Sequence, residues 1–510
     1  MKESSLKTNI LKGTFVIIAV SIMAKFASFI SEMILAAYLG TTSEGDAYYM
    51  ISSIQQVIYP MLSVGIWKVF LPMYKEKIAK NECCEADEIA NKSITIFSLI
   101  SLVVAVLIYV FSDLIVSIVA PGFSNETKSL CSWLVKLSAP MYVVIIASAV
   151  YSSMLQCHNK FFGSQIREVA SHIPTIIAAI FLYPLYGVKV LAIALVFGGI
   201  CRLLIELPFV DWGYRYRPDF RFKDKKLKGM FKRLPSALVS EGINQFNTLI
   251  DKVMASLLPI GTVSSLNYGN KLMNAFNGLL SSAIATALYP QIVELIALNK
   301  KNELSNLMTK IINIFALIMI PVTLACLIFS KNIVSIVYER GVFDSNSVGV
   351  TAEVFGGYCI GLFFLASNTV INNVFYGYGD TKTPMYVNIT NLVVNIIGNI
   401  ILIYSFGVKG LALSTSIASI VAFVVGMCLL RKYVIIDTRR TCNTIIKVFG
   451  ASIVACGVPA LVTNMINLGN IMKLLLSGIL GIVIYSVLIK LLHVSEMADL
   501  LALIRKRIKK

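Results

Sequence analysis

The stretch SITIFSLISLVVAVLIYVFS at residues 93–112 runs twenty residues without a charge. A run of that length matches the hydrocarbon thickness of a bilayer when wound as a helix. Comparable runs begin near residues 10, 47, 93, 133, 165, 187, 235, 264, 305, 349, 384, 409, 445 and 471. In lipid every backbone amide must bond within the protein, which leaves helices or a closed barrel. Barrel strands would alternate apolar and polar residues in short segments, and these runs do not. Charged residues make up only 14% of the chain and hydrophobic ones 57%, too little polar surface for a soluble domain. The expected fold is an all-α polytopic membrane protein with 14 transmembrane helices.

The loops fix an orientation. With the N-terminus in the cytoplasm, the inner set contains MYKEKIAKNECCEADEIANK, YRYRPDFRFKDKKLKGMFKR, LNKKNE, RKYVIIDTRR and the tail RKRIKK, while the outer set contains GTTSEGD, APGFSNETKS, LPIGTVSS and ERGVFDSNS. About thirty Lys and Arg fall inside against roughly five outside, the bias that sets membrane topology. The net charge of +18 is thereby a topology signal, and no nucleic-acid partner is expected. The stretch from Asn9 to Leu39 is too long, and too polar at its centre, for a cleavable signal, and reads as the first helix. Ten cysteines without CxxC spacing and three scattered histidines argue against disulfides, metal ligands or a catalytic cluster. No GxxxxGK[ST] loop is present. Neither an enzyme nor an ATP-driven pump is expected, and no cofactor.

A peptide recurs: YGVKVLA at 186–192 and FGVKGLA at 406–412. IVSIV at Ile115–Val119 returns at Ile333–Val337, the Gly40 segment YLGTTSEGD resembles the Gly261 segment PIGTVSSLN, and Pro72 is matched by Pro290, all at offsets of 218–221. The period holds six spans, an even number, so both copies enter the membrane in the same sense, as in a parallel repeat. The expected domains are an N-lobe over 1–212 (spans 1–6), a basic cytoplasmic loop over 213–234, a C-lobe over 235–433 (spans 7–12), and spans 13–14 with a basic tail over 434–510. Two such lobes around a central cavity suit an alternating-access carrier. The basic loop either anchors topology or guides an anionic lipid head.

Four helices carry polar stripes. Ser21, Lys25, Ser28 and Glu32 share one face of span 1. Span 7 aligns Glu241, Asn244, Thr248 and Asp251; span 8 aligns Asn267, Lys271, Asn274 and Ser281; span 11 aligns Asn388, Asn391, Asn395 and Asn399. A charge at mid-membrane costs about 3 kcal/mol and normally faces protein or water. Lys25 and Lys271 could jointly hold a phosphate or carboxylate, with neighbouring asparagines such as Asn274 serving sugars or peptide amides. The bland readings are interhelical hydrogen bonds for the span-11 asparagines and a structural Lys25–Glu32 pair. Lys68, Arg202 and Glu206 lie near cytoplasmic ends and read as snorkelling side chains.

AKFASFISEMILAAYLGTTSEGDAYYM (24–50), APGF at Ala120–Phe123, NYGNKLM (267–273) and GYGDTKTP at Gly377–Pro384 resemble the MurJ (MviN) lipid II flippases of the multidrug/oligosaccharidyl-lipid/polysaccharide exporter superfamily. The resemblance implies a bacterial inner-membrane protein, N- and C-termini cytoplasmic, that moves an undecaprenyl-diphosphate-linked cell-wall precursor outward. It implies a substrate site including Lys25, Ser28, Glu32, Asp46, Lys271 and Asn274, with Lys25 and Lys271 standing where the family has arginines and Glu32 and Asp46 matching its acidic residues. Ser31 replaces a second span-1 arginine, and the region around Ile58–Tyr59 lacks another. Lysine lacks the guanidinium fork, so another lipid-linked polysaccharide unit stays open, while Glu241 and Asp251 keep open a cation-coupled multidrug exporter of the superfamily. Coupling would be to the membrane potential or a monovalent cation, with Glu241 and Asp251 as candidates beside Glu32. Expected partners are the polyprenyl-diphosphate-linked glycan, membrane lipids and cell-wall synthesis proteins.

Overall fold

The computed structural model describes residues 2–220, 245–466, 469–494 and 496–497, and the helices follow the apolar runs. The chain divides into two compact units, Met1–Ser264 and Ser265–Lys510.

The first unit begins with α1 (Lys2–Leu39), which ends where Gly40 takes φ +53°. Thr42 then caps α2 (Ser43–Gly65), its hydroxyl accepting from Gly45 N and donating to Leu39 O at 2.7 Å. Pro60 sits inside α2, and a π-helical turn, Ile66–Phe70, joins it to α3 (Leu71–Ala79). There follow α4 (Cys83–Val110), α5 (Ser112–Val119), α6 (Asn125–Ser138), α7 (Met141–Cys157) and α8 (Phe161–Ile177). After a second π-turn at Ala178–Leu182 come α9 (Tyr183–Tyr186), α10 (Lys189–Glu206) and α11 (245–255). Ile66, Phe70 and Tyr74 anchor a core with Ala90, Ile94, Phe97, Ile146 and Met154. Gly198 lets α10 approach α8 so closely that a Cβ would lie 2.7 Å from Ser171 O, the close backbone contact that small residues allow between membrane helices.

The division falls just inside α12 (Thr262–Ala297). The second unit continues with α13 (Lys301–Ile328), α14 (Ser330–Tyr338), α15 (Ser345–Cys359), α16 (Leu362–Gly377), α17 (Lys382–Leu430), α18 (Thr438–Met465) and α19 (Asn470–Leu491). Met308, Ile312, Phe315, Val370, Val374, Phe375 and Val448 form its core. α17 is two helices meeting at Gly407, whose φ of +54° only glycine adopts readily. Asn395 donates to Thr415 Oγ1 at 3.0 Å, Asn399 donates to Asn395 Oδ1 at 3.2 Å, and Ser414 donates to Asn399. Half of the span-11 asparagine stripe therefore ties the two halves of α17 together.

Among the described residues nine helices are long and apolar enough to cross a membrane, or eleven when the pairs α6–α7 and α15–α16, each bent by 42°, count as single spans. α17 covers two of the expected spans. Of the fourteen, the seventh begins outside the described residues, and the eighth corresponds to α12.

The repeat is written in the backbone. Left-handed residues recur as Gly40 and Gly261, Asn81 and Asn299, Asn159 and Gly379, Gly187 and Gly407, at offsets of 218–221. Ring stacking recurs too: His158 on Trp212 with centroids 3.8 Å apart, and Tyr378 on Tyr433 at 4.5 Å. The GYGDTKTP motif has a local cause. After Gly379 (φ +73°), Asp380 accepts from the N–H groups of Lys382 and Thr383, the Thr383 hydroxyl at 2.6 Å and the Tyr433 hydroxyl at 3.0 Å. The Thr383 hydroxyl foremost holds the Asp380 carboxyl below its ordinary value. A depressed carboxyl stabilises the fold above its unfolded value and loses that contribution as pH falls. Asp380→Ala should lower stability at neutral pH by about 1 kcal/mol for a lost cap, read as a lower melting temperature. The gap to the wild type should close below the ordinary value of 3.8.

Candidate functional site

In the first unit Lys25 is exposed on α1, Ser28 half-buried, and Glu32, two turns on, buried at 6% exposure. Glu32 has interactions within the chain. The same face of α1 thus runs from an exposed ammonium to a buried carboxylate.

Asp46, one turn into α2, is 3% exposed and fully engaged. Its Oδ2 accepts from Gly261 N at 2.7 Å, and its Oδ1 accepts from Ser264 N at 2.8 Å and Ser264 Oγ at 2.7 Å. Three donors around one carboxylate form a strong charge-assisted set. The loops it joins are the two that the repeat equates, one led by Gly40 and the other by Gly261. Their approach demands glycine: a Cβ on Gly261 would stand 2.4 Å from Thr41 O, and one on Gly45 2.8 Å from Ser264 Oγ. Nearby, Tyr183 donates to Glu44 Oε2 at 2.7 Å, and Lys252 Nζ donates to Tyr49 O at 3.3 Å. Asp251 is buried beside Lys252, and both have further partners in the chain. Glu241 lies outside the described residues.

In the second unit Lys271 is half-buried on α12. One turn on, Asn274 donates to Asn270 Oδ1 at 2.6 Å, so two bonded amides share one face of α12. Asn270, three residues after Asn267 and four before Asn274, lies on the polar stripe of span 8 as well, and that helical spacing is the signal for it. The structure thus joins Asp46 to the Gly261 loop and Asn274 to Asn270, while Lys25 and Lys271 belong to different units. Among the described residues no group of three or more His, Cys, Asp or Glu could hold a metal ion.

Sequence reading also passed over a buried charge group in the first unit. Arg202 and Glu206 do not snorkel. Arg202 bonds Glu168 of α8, and Glu206, fully buried, accepts from Ser148 Oγ of α7 at 2.7 Å. Arg167 Nη1 lies 3.7 Å from Glu206 Oε1.

A family model described as "Lipid II flippase MurJ" matches residues 35–486. A probable lipid II flippase MurJ of Thermotoga maritima is 26% identical over 486 residues, covering 94% of this chain and 96% of that protein. One of Vibrio cholerae is 25% identical, covering 82% of each. A solved structure of a lipid II flippase MurJ has a TM-score of 0.80 at 22% identity, covering 93% of this chain and 99% of that one. A multidrug resistance MATE family transporter has 0.67 at 15% identity, covering 82% and 97%. The solved structures share the fold of this all-helical membrane protein, and the family model spans most of its length: the chain belongs to the lipid II flippase MurJ family.

Proposed function

We propose that this protein is a flippase that carries lipid II, an undecaprenyl-diphosphate-linked cell-wall precursor, from the inner to the outer leaflet of the bacterial cytoplasmic membrane. The observation that carries the reading is the family match across 35–486, joined to intramembrane lysines that suit a diphosphate. Lys25 and Lys271 each offer an ammonium, and Asn270 and Asn274 present amide groups beside Lys271 for sugar or peptide. Ser28 and Glu32 line the same α1 face. Asp46, held by three donors from the Gly261 loop, positions the ends of α2 and α12 rather than touching substrate.

Translocation exposes the headgroup to one leaflet and then the other, with lobes 1–212 and 235–433 joined by the basic loop 213–234, residues 434–510 standing outside the repeat, and both termini cytoplasmic. The potential, positive outside, favours outward passage of an anion by about 2.3 kcal/mol per charge per 100 mV. Glu241, Asp251 and Glu32 are the acidic candidates for coupling to a monovalent cation. No covalent chemistry is required.

Cells depleted of their own lipid II flippase test the reading. Expression of this protein should restore growth and outward delivery of lipid II. Growth that fails although the protein reaches the membrane would contradict it.

A further inference from the structure

Arg167 and Glu168 on α8, Arg202 and Glu206 on α10, and Ser148 on α7 form one buried group at the end of the span Lys189–Phe209. Arg167 and Arg202 side chains are 6% and 11% exposed, Glu206 0%, and Glu168 39%. The four charges cancel, but the bonds are unequal. Glu168 takes the Arg202 guanidinium directly. Glu206 holds one hydroxyl donor through Oε2, while among the described residues its Oε1 has no hydrogen-bond partner, and neither do Arg167 Nε and Arg202 Nε. Arg167 Nη1 instead donates to Ser148 O at 3.3 Å and stops 3.7 Å from Glu206.

A buried carboxylate normally keeps its charge by gathering several donors, because desolvation costs several kcal/mol per ion. Glu206 has gathered one. Protonation would neutralise Glu206 and leave the group with a net positive charge. The groups facing it are Arg167 and Glu168 from α8, with His172 beside Glu168, Ser148 and Tyr151 from α7, and Arg202 from its own helix. α6 meets α10 at the other end, where Lys189 lies over Trp133.

The group also touches α2. The Arg202 guanidinium lies over the Tyr59 ring of α2 at 5.5 Å, next to Pro60 and seven residues before the π-turn Ile66–Phe70. Proline and π-turns are where helices bend, and the far end of α2 carries Asp46. A change in charge at Glu206 alters what Arg202 must balance, and Arg202 is the group's contact with α2 beside Pro60.

We propose that Glu206 is a proton-binding site within the first unit, and that its protonation changes the hold of Arg202 on α2 and so the rate of the transport cycle. The first half stands on its own; the second rests on the flippase reading.

Infrared difference spectra of the purified full-length protein, titrated between acid and alkaline pH, read the first half. The wild type should show a protonated-carboxyl band that Glu206→Gln removes and Glu168→Gln retains. Ser148→Ala, which takes away the one hydroxyl donor, should displace the midpoint of that band and serves if Glu206→Gln does not fold. A band untouched by both Glu206→Gln and Ser148→Ala overturns the proposal. In proteoliposomes with fluorescent lipid II, the wild-type rate should follow pH, by up to about tenfold per unit for one titrating proton, and Glu206→Gln should flatten that profile. A profile unchanged in Glu206→Gln overturns the link to α2. Absence of flipping by the wild type itself would strike the flippase reading and leave the infrared result intact.

Discussion

Lys271→Ala lowers the rate of lipid II flipping at least about 10-fold, because a hydrogen bond to a charged group contributes about 1.5–3 kcal/mol. Lys25→Ala acts in the same direction. Lys271 is half-buried on α12, three residues before Asn274, whose amide is bonded to Asn270, so its removal takes a cation from a polar stretch of that helix. Lys271→Arg should keep or raise activity, since a guanidinium pairs with phosphate through two parallel bonds where an ammonium acts as a point charge. Lys271→Glu should be inactive while still inserted and folded. The check is a flipping assay with each variant at equal membrane abundance; activity of Lys271→Glu equal to the wild type would remove this lysine from the substrate path.

Asp46→Ala produces the second large effect, and by a different route. It strips the acceptor from three buried donors, the N–H groups of Gly261 and Ser264 and the Ser264 hydroxyl. Each unsatisfied buried donor costs about 1–3 kcal/mol. The variant should melt several degrees lower and lose transport, and Asp46→Asn, which keeps a carbonyl acceptor, should recover part of both. Gly261→Ala should mimic Asp46→Ala, because its Cβ would stand 2.4 Å from Thr41 O and φ is +92°. Thermal unfolding of detergent-purified protein measures all three. Wild-type stability in Asp46→Ala would mean that the carboxylate holds nothing.

Much of this was legible in the chain. Apolar runs and the loop charge bias gave the helical membrane class, because lipid leaves the backbone few choices. The duplication showed wherever glycine was required: Gly40 with Gly261 and Gly187 with Gly407 stand at turns whose backbone excludes side chains. It was hidden at Asn81 and Asn299, where asparagine tolerates the same left-handed conformation and leaves no conspicuous peptide. Polar stripes could be placed on helix faces but not assigned partners. Asn395 and Asn399 bond across the α17 break, and Asp46 bonds a loop more than two hundred residues away. The charge group at Glu206 escaped for the same reason: position along a span suggested snorkelling, while burial by α7 and α8 is a tertiary fact.

The most direct test reconstitutes the purified protein into liposomes with fluorescent lipid II in the inner leaflet and counts headgroups that become reactive to an impermeant reagent outside. The wild type should deliver them faster when the outside is positive, and the Lys25→Ala/Lys271→Ala double variant should fall to the rate of protein-free vesicles. Delivery by the double variant at the wild-type rate would contradict the account.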